Sequence, residues 1–135
     1  RAGALFAVAG AVELLDGARQ ILTFGAGGSS TMLTQQLQFR LVRLGYAISA
    51  YPQSLLPRMV ASSLEPSDVV LPVVARETDF IYHPSASRYA MLAAIDVLAL
   101  ELALRHQDRS RTKLRRLKIT LDAHRGGDNR QPLGD

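Results

Sequence analysis

Apolar residues recur along this chain in two rhythms: short unbroken runs, and longer stretches in which an apolar side chain returns every three or four positions. The first predicts covered strands and the second helices, and they alternate in the order of a doubly wound α/β fold. Ala2 to Asp16 is apolar on nearly every side (Leu5, Phe6, Val8, Val12, Leu14, Leu15), so this helix is expected to pack on a partner subunit as well as on its own sheet. Gly17 follows where a left-handed cap is expected. Arg19 to Phe24 reads as the first strand. The next helix runs from Ser30 to Leu44, with Leu33, Leu37, Leu41 and Leu44 on one stripe, Arg40 and Arg43 on its solvated side, and Gly45 as its stop.

A second strand follows at Tyr46 to Tyr51, then a short helix over Gln53 to Ser63 carrying Leu56, Met59 and Val60. Asp68 to Val74 is apolar enough to be covered on both faces, with Pro72 confined to an edge or to the strand end. Beyond a loop from Arg76 to Pro84, a long helix starts with Ser85 or Ser87 as N-cap and continues to His106, its stripe being Met91, Ile95, Leu98 and Leu102. Leu114, Leu117 and Leu121 keep helical spacing in the tail, and Gly126-Gly127 opens a polar, disordered end.

A chain of 135 residues is long enough for one compact domain. Its 47% hydrophobic and 6% aromatic content suits buried parallel strands. With no cysteine, disulfides, thiolate metal sites and cysteine nucleophiles are excluded, which agrees with a reducing cytoplasm. Neither a membrane span nor a signal peptide is read, and Arg1 opens inside a helical pattern as if the domain were cut from a longer protein. Charge divides the chain. From Arg105 to Arg125 eight Arg or Lys face only Asp108 and Asp122, whereas the whole chain carries +4, so the body is mildly acidic. The expected domain organisation is therefore 1–107 for the ligand-binding body and 108–135 for a basic helix and tail. That helix reads first as solvated and packed on the body. Its alternative, a nucleic-acid module, would show steep salt dependence.

The chemistry centres on Ile21-Leu22-Thr23-Phe24-Gly25-Ala26-Gly27-Gly28-Ser29-Ser30, a strand that enters a glycine-rich turn and delivers two serines to a helix start. Glycines let the backbone approach a ligand, and the helix's free N–H groups and positive dipole end favour a phosphate or carboxylate. This is no P-loop, since no lysine precedes Lys113. The dinucleotide fingerprint fails as well, because Ser30 occupies its third glycine position and the second strand ends in Tyr51-Pro52 without an acidic residue. What remains is a phosphate-sized site with serine hydroxyls.

Phe24-Gly25-Ala26-Gly27-Gly28-Ser29-Ser30, followed by Gln38-Phe39-Arg40-Leu41-Val42-Arg43-Leu44-Gly45, resembles the opening of the sugar isomerase (SIS) domain found in RpiR-type transcriptional regulators. Leu64-Glu65-Pro66-Ser67-Asp68-Val69-Val70, Ser85-Ala86-Ser87-Arg88, Ala94-Ile95-Asp96-Val97-Leu98 and the basic tail extend the resemblance in order along most of the chain. It implies a three-layer α-β-α sandwich around a small parallel sheet, wound like flavodoxin. It also implies a homodimer that binds a sugar phosphate and reaches DNA through an N-terminal helix-turn-helix domain not in this chain. In this resemblance Ser29 is the ligand-loop hydroxyl, with Gly27, Gly28 and Ser30 supplying backbone and support. The chain departs from the family between its third and last strands, where roughly 40 residues are usual for such units and carry a second ligand loop that grips the phosphate. Asp68 to Val74 looks like the front of one strand joined to the back of another. Either residues are missing between Val70 and Leu71 or the domain is truly shortened; three strands cover little helix surface, which favours the first.

Glu77, Asp79 and His83 cluster in one loop and offer a general acid/base set, though loops are polar by default. Arg88, at the start of the long helix, suits a phosphate through its forked guanidinium or stands as a surface residue. Histidines at 83, 106 and 124 have no metal-ligand spacing. The reading is a cytoplasmic, non-catalytic phosphosugar sensor without cofactor or metal, its ligand held by Ser29, Ser30, Gly28, Gly27 and Arg88. The alternative is a sugar-phosphate isomerase of the same fold, which requires Glu77 and His83 to converge on the Ser29 turn.

Overall fold

The computed structural model describes residues 2–25, 28–51, 59–60, 62–73 and 86–124, with side chains outside 2–6, 28–29 and 86–87. Its elements in order are α1 (Ala2–Asp16), β1 (Gln20–Gly25), α2 (Gly28–Arg43), β2 (Ile48–Tyr51), β3 (Asp68–Val73), α3 (Ala86–Arg105) and α4 (Gln107–His124). The three strands form one parallel sheet in the order β2-β1-β3. The α2 crossover therefore moves outward from β1 to β2, and the next connection returns past β1 to β3. That reversal is the switch point at which open α/β sheets bind ligands, beyond the carboxyl ends of the strands.

The leucine stripe of α2 forms the centre of the core. Leu33, Leu37, Leu41 and Leu44 are buried against Ile21 of β1, Ile48 of β2, Val73 of β3, Val12 and Leu15 of α1, and Ile95, Leu98 and Leu102 of α3. Leu37 and Leu41 are wholly inaccessible, the kind of position where truncation to alanine costs about 2–5 kcal/mol. Leu22, which points away from Ile21 across the sheet, is also buried, so the central strand is covered on both faces as a layered α/β sandwich requires.

Two glycines behave differently. Gly45 takes φ 91°, its N–H bonds the Val42 carbonyl and the Tyr46 N–H bonds that of Leu41, which is the paired closure of a left-handed helix cap. Gly17, expected to do the same after α1, does not have positive φ. Its N–H still reaches the Glu13 carbonyl, and the chain leaves through a right-handed turn into β1. Across Val70 and Leu71 the strand is continuous. Asp68 to Val73 pairs with Gln20 to Gly25 in a single uninterrupted register. The poor coverage of helix surface expected from three strands is nevertheless real, because Leu14, Val97, Leu100 and Leu104 on α1 and α3 are between 43% and 65% exposed. Pro72 lies in an edge strand, as its missing N–H demands. Of the expected short helix over Gln53 to Ser63 only Met59, Val60, Ser62 and Ser63 are described: the first two are helical, and Ser62 and Ser63 form a turn in which the Ser63 N–H bonds the Val60 carbonyl at 2.9 Å. Val74, the loop from Arg76 to Pro84 and the segment 125–135 lie outside the described residues.

Polar contacts clamp the pole where the strands begin. Arg19 donates from Nε and a terminal nitrogen to the two Asp68 carboxylate oxygens at 2.9 and 2.8 Å, and Gln20 Nε2 and the Glu65 N–H donate to the same group at 2.9 Å. Tyr46 donates to Asp16 Oδ1 at 2.8 Å, where His106 Nε2 also lies within 2.8 Å, while Arg105 pairs with Glu13 and, at 3.5 Å, with Asp16. The end of α1, the entrance to β2 and the α3–α4 junction are thereby tied together.

Candidate functional site

The opposite pole is shaped by Gly25, the last residue of β1. A Cβ built there would lie 2.6 Å from Ser30 Cβ and 2.7 Å from the Ser30 carbonyl carbon and oxygen, separations no real side chain shows. Glycine is therefore required for the strand end to press against the first turn of α2. That helix opens at Gly28, so Gly28, Ser29 and Ser30 sit in a turn whose N–H groups have no intrahelical acceptor. Ser30 is buried at 3% exposure against Gly25. In the next turn the buried Thr34 hydroxyl donates to the Thr31 carbonyl at 2.7 Å and tightens the helix start. Gly27 and the side chain of Ser29 lie outside the described residues.

The contacts between elements bring a second helix start to the same pole. Arg40 in α2 pairs with Asp96 in α3 at 2.7 Å, and the end of α3 is fastened to the end of α1 through Arg105 and His106. Since α1 ends and α2 ends where the strands begin, α3 runs parallel to α2 and both start where the strands end. Neither helix has an acidic residue in its first turn. Two positive helix ends with no carboxylate in their own first turns suit an anion. Arg88, half-buried in the first turn of α3, belongs to this pole. Gly28, Ser30 and Arg88 thus lie toward the same end of the molecule. Glu77, Asp79 and His83 lie outside the described residues, and so does the convergence that an isomerase would need.

Asp68 and Asp16 at the base are held as anions. The Arg19 hydrogen bonds, followed by that of the Glu65 backbone, bring the Asp68 carboxyl down to about 2, and its side chain is 1% exposed. Asp16 is lowered as well: burial opposes its charge, but the hydrogen bonds from His106 and Tyr46 prevail. Burial, reinforced by Asp16, pushes the Tyr46 hydroxyl up to about 12. These groups stabilise the base rather than a reaction. Sequence reasoning missed this network because its members come from distant positions, although Asp68 opening a strand beside Arg19 was visible in the pairing of two strand starts.

Thr23 was also missed. It lies on β1 with the orientation of Ile21 and Gly25, is wholly inaccessible, and its hydroxyl has no hydrogen-bond partner among the described residues. Two clefts among the described residues are lined mostly by apolar side chains. One of about 210 Å³ is lined by Val8, Leu71, Met91, Ile95 and Leu98, and a groove of about 510 Å³ between α1 and α3 by Val8, Val12, Val97 and Leu104 with Glu13 and Arg105 at its rim. Among the described residues no group of three or more His, Cys, Asp or Glu could hold a metal, and no helix is long and apolar enough to cross a membrane.

No protein-family model matches the sequence, and no curated protein matches it significantly. Solved structures do match. The sugar isomerase domain of an RpiR transcription factor from Sphaerobacter thermophilus superposes with a TM-score of 0.66 over 84% of this chain and 86% of that one, at 17% identity. The fold is that of a SIS domain. The Vibrio vulnificus NanR protein complexed with ManNAc-6P is similar with a TM-score of 0.70 and 17% identity, over 84% of this chain. This chain spans only 60% of NanR. At such identity the likeness is one of architecture alone.

Proposed function

We propose that this SIS domain is a regulatory sensor of sugar phosphates. The observation that carries the reading is the close packing of Gly25 on Ser30, which sets the first turn of α2 against the end of β1 at the switch point of the sheet. The phosphate of the effector accepts from the N–H groups around Gly27, Gly28 and Ser29 and from the Ser29 hydroxyl; Ser30 supports the turn and Arg88 adds a charged donor. The RpiR and NanR likenesses support a regulatory role rather than an enzymatic one. In this reading residues 1–107 form the sensing body, a second copy covers the apolar face of α1 and α3, and the dimer works in the cytoplasm with DNA-binding heads on a longer chain.

Calorimetric titration with ManNAc-6P and other hexose phosphates tests the site. Ser29→Ala removes a hydrogen bond to a charged ligand, about 1.5–3 kcal/mol, and is expected to weaken binding roughly tenfold to a hundredfold without loss of folding. Equal affinity of the two proteins removes Ser29 from the site. Conversion of any ligand into an isomer, followed by NMR, replaces the sensor with the isomerase.

A further inference from the structure

The cations of the body are mostly engaged: Arg19 with Asp68 and Glu65, Arg40 with Asp96, and Arg105 with Glu13 and Asp16. Those of α4 are not. Arg109, Arg111, Lys113, Arg115, Arg116 and Lys118 are all exposed, and none is paired with a carboxylate among the described residues; Arg109 lies over the ring of Tyr46 and the Lys113 stem runs beside Gly45. The helix packs on the body through Ser110, whose hydroxyl donates to the Ala103 carbonyl at 3.1 Å, and through the half-buried Leu117 and Leu121. At about 100° per residue, Arg109, Lys113 and Arg116 form a row along one flank of that packing stripe. Arg111, Arg115 and Lys118 form the matching row along the other.

We infer that α4 is a docking element for the phosphodiester backbone of duplex DNA, independent of the ligand site and of base sequence. The argument rests on how the charge is distributed. Cations on both flanks of one helix match a partner that presents negative walls on either side, as a duplex groove does. From the first cation of a row to the last, seven helical steps rise about 10 Å, along which each strand offers a phosphate roughly every 3.4 Å, so three cations meet about three phosphates. A lipid surface fits less well, because the exposed apolar side chains of α4 are only Ile119 and part of Leu114, with no aromatic residue to insert.

Fluorescence anisotropy of a labelled 20-base-pair duplex of arbitrary sequence, titrated with the full chain, tests this. Six phosphate contacts predict a slope near −5 for log affinity against log salt, and a loss on the order of a thousandfold between 50 and 200 mM salt. Replacing one row (Arg109→Gln, Lys113→Gln and Arg116→Gln together) or the other (Arg111→Gln, Arg115→Gln and Lys118→Gln together) should reduce that slope by nearly three. Glutamine keeps helix propensity close to that of the residues replaced, and circular dichroism checks that the fold survives. The inference is overturned by no binding at 50 mM salt, by unchanged affinity in both row variants, by a loss confined to one row, or by tighter binding to phosphatidylserine vesicles or polyglutamate than to the duplex.

Discussion

Replacing Gly25 by alanine adds one methyl group where the structure leaves no room for it. The new Cβ would lie within 2.7 Å of three Ser30 atoms, two of them in the backbone, so rotation of a side chain cannot relieve the clash. Either β1 or the first turn of α2 must move. Overpacking of this kind typically costs about 1–3 kcal/mol, and the backbone neighbours place this case at the upper end, near 3 kcal/mol. With an unfolding entropy of about 2.1 cal/mol/K per residue, a domain of this length loses roughly 3–4 °C in melting temperature per kcal/mol, so a drop of about 10 °C is expected. Gly10→Ala serves as the internal comparison. No atom lies within 4 Å of a Cβ at that helical position, and the substitution should gain about 0.5–1 kcal/mol from reduced backbone entropy in the unfolded chain. Scanning calorimetry on both variants, with hexose phosphate titrations below the melting point, separates stability from ligand affinity. A Gly25→Ala protein that melts within 1–2 °C of the parent and binds ligand equally would refute both the close approach and its role in shaping the turn.

Thr23→Val replaces a buried hydroxyl that lacks a partner by a methyl group of similar shape, and should raise stability by about 1–2 kcal/mol in urea denaturation; a destabilised variant would show that the hydroxyl is satisfied. Asp68 has a folded pKa below its unfolded value, so its contribution is complete above about pH 4 and is lost as pH falls toward 2; Asp68→Asn should flatten the acid limb of stability against pH, and an unaltered limb would detach Asp68 from acid unfolding. For the apolar face, sedimentation at tens of micromolar should give a dimer that Leu14→Ser with Leu100→Ser converts to monomer. A monomeric parent would remove the second copy from that face.

The sequence made visible those features that depend on local rules. Leucines at 33, 37, 41 and 44 can share a face only in a helix, and all four are core residues. Gly45 was legible as a cap because helix ends commonly demand positive φ, whereas Gly17 misled because a helix that feeds directly into a strand can end without reversing its backbone. Strand limits shifted by one or two residues, with β1 ending on Gly25 and β2 starting at Ile48, since pairing rather than composition ends a strand. Gly25 stood out because only glycine fits where the end of β1 meets the first turn of α2. The Asp16, Tyr46, His106 and Arg105 network did not, because nothing local in the chain brings together residues up to 90 positions apart. Nor does periodicity record that one hydroxyl, Thr23, is sealed beneath the site.

The proline in β3 bears on how the protein behaves at high concentration. Among the described residues no strand pairs with the outer edge of β3, and such an edge is a template on which another chain can add a strand and start an aggregate. Pro72 offers no amide proton there, so a foreign strand zippering along from Asp68 meets a position with no donor and a rigid ring one residue before Val73. The residue that fits least well with an apolar strand thus acts as its gatekeeper against self-association.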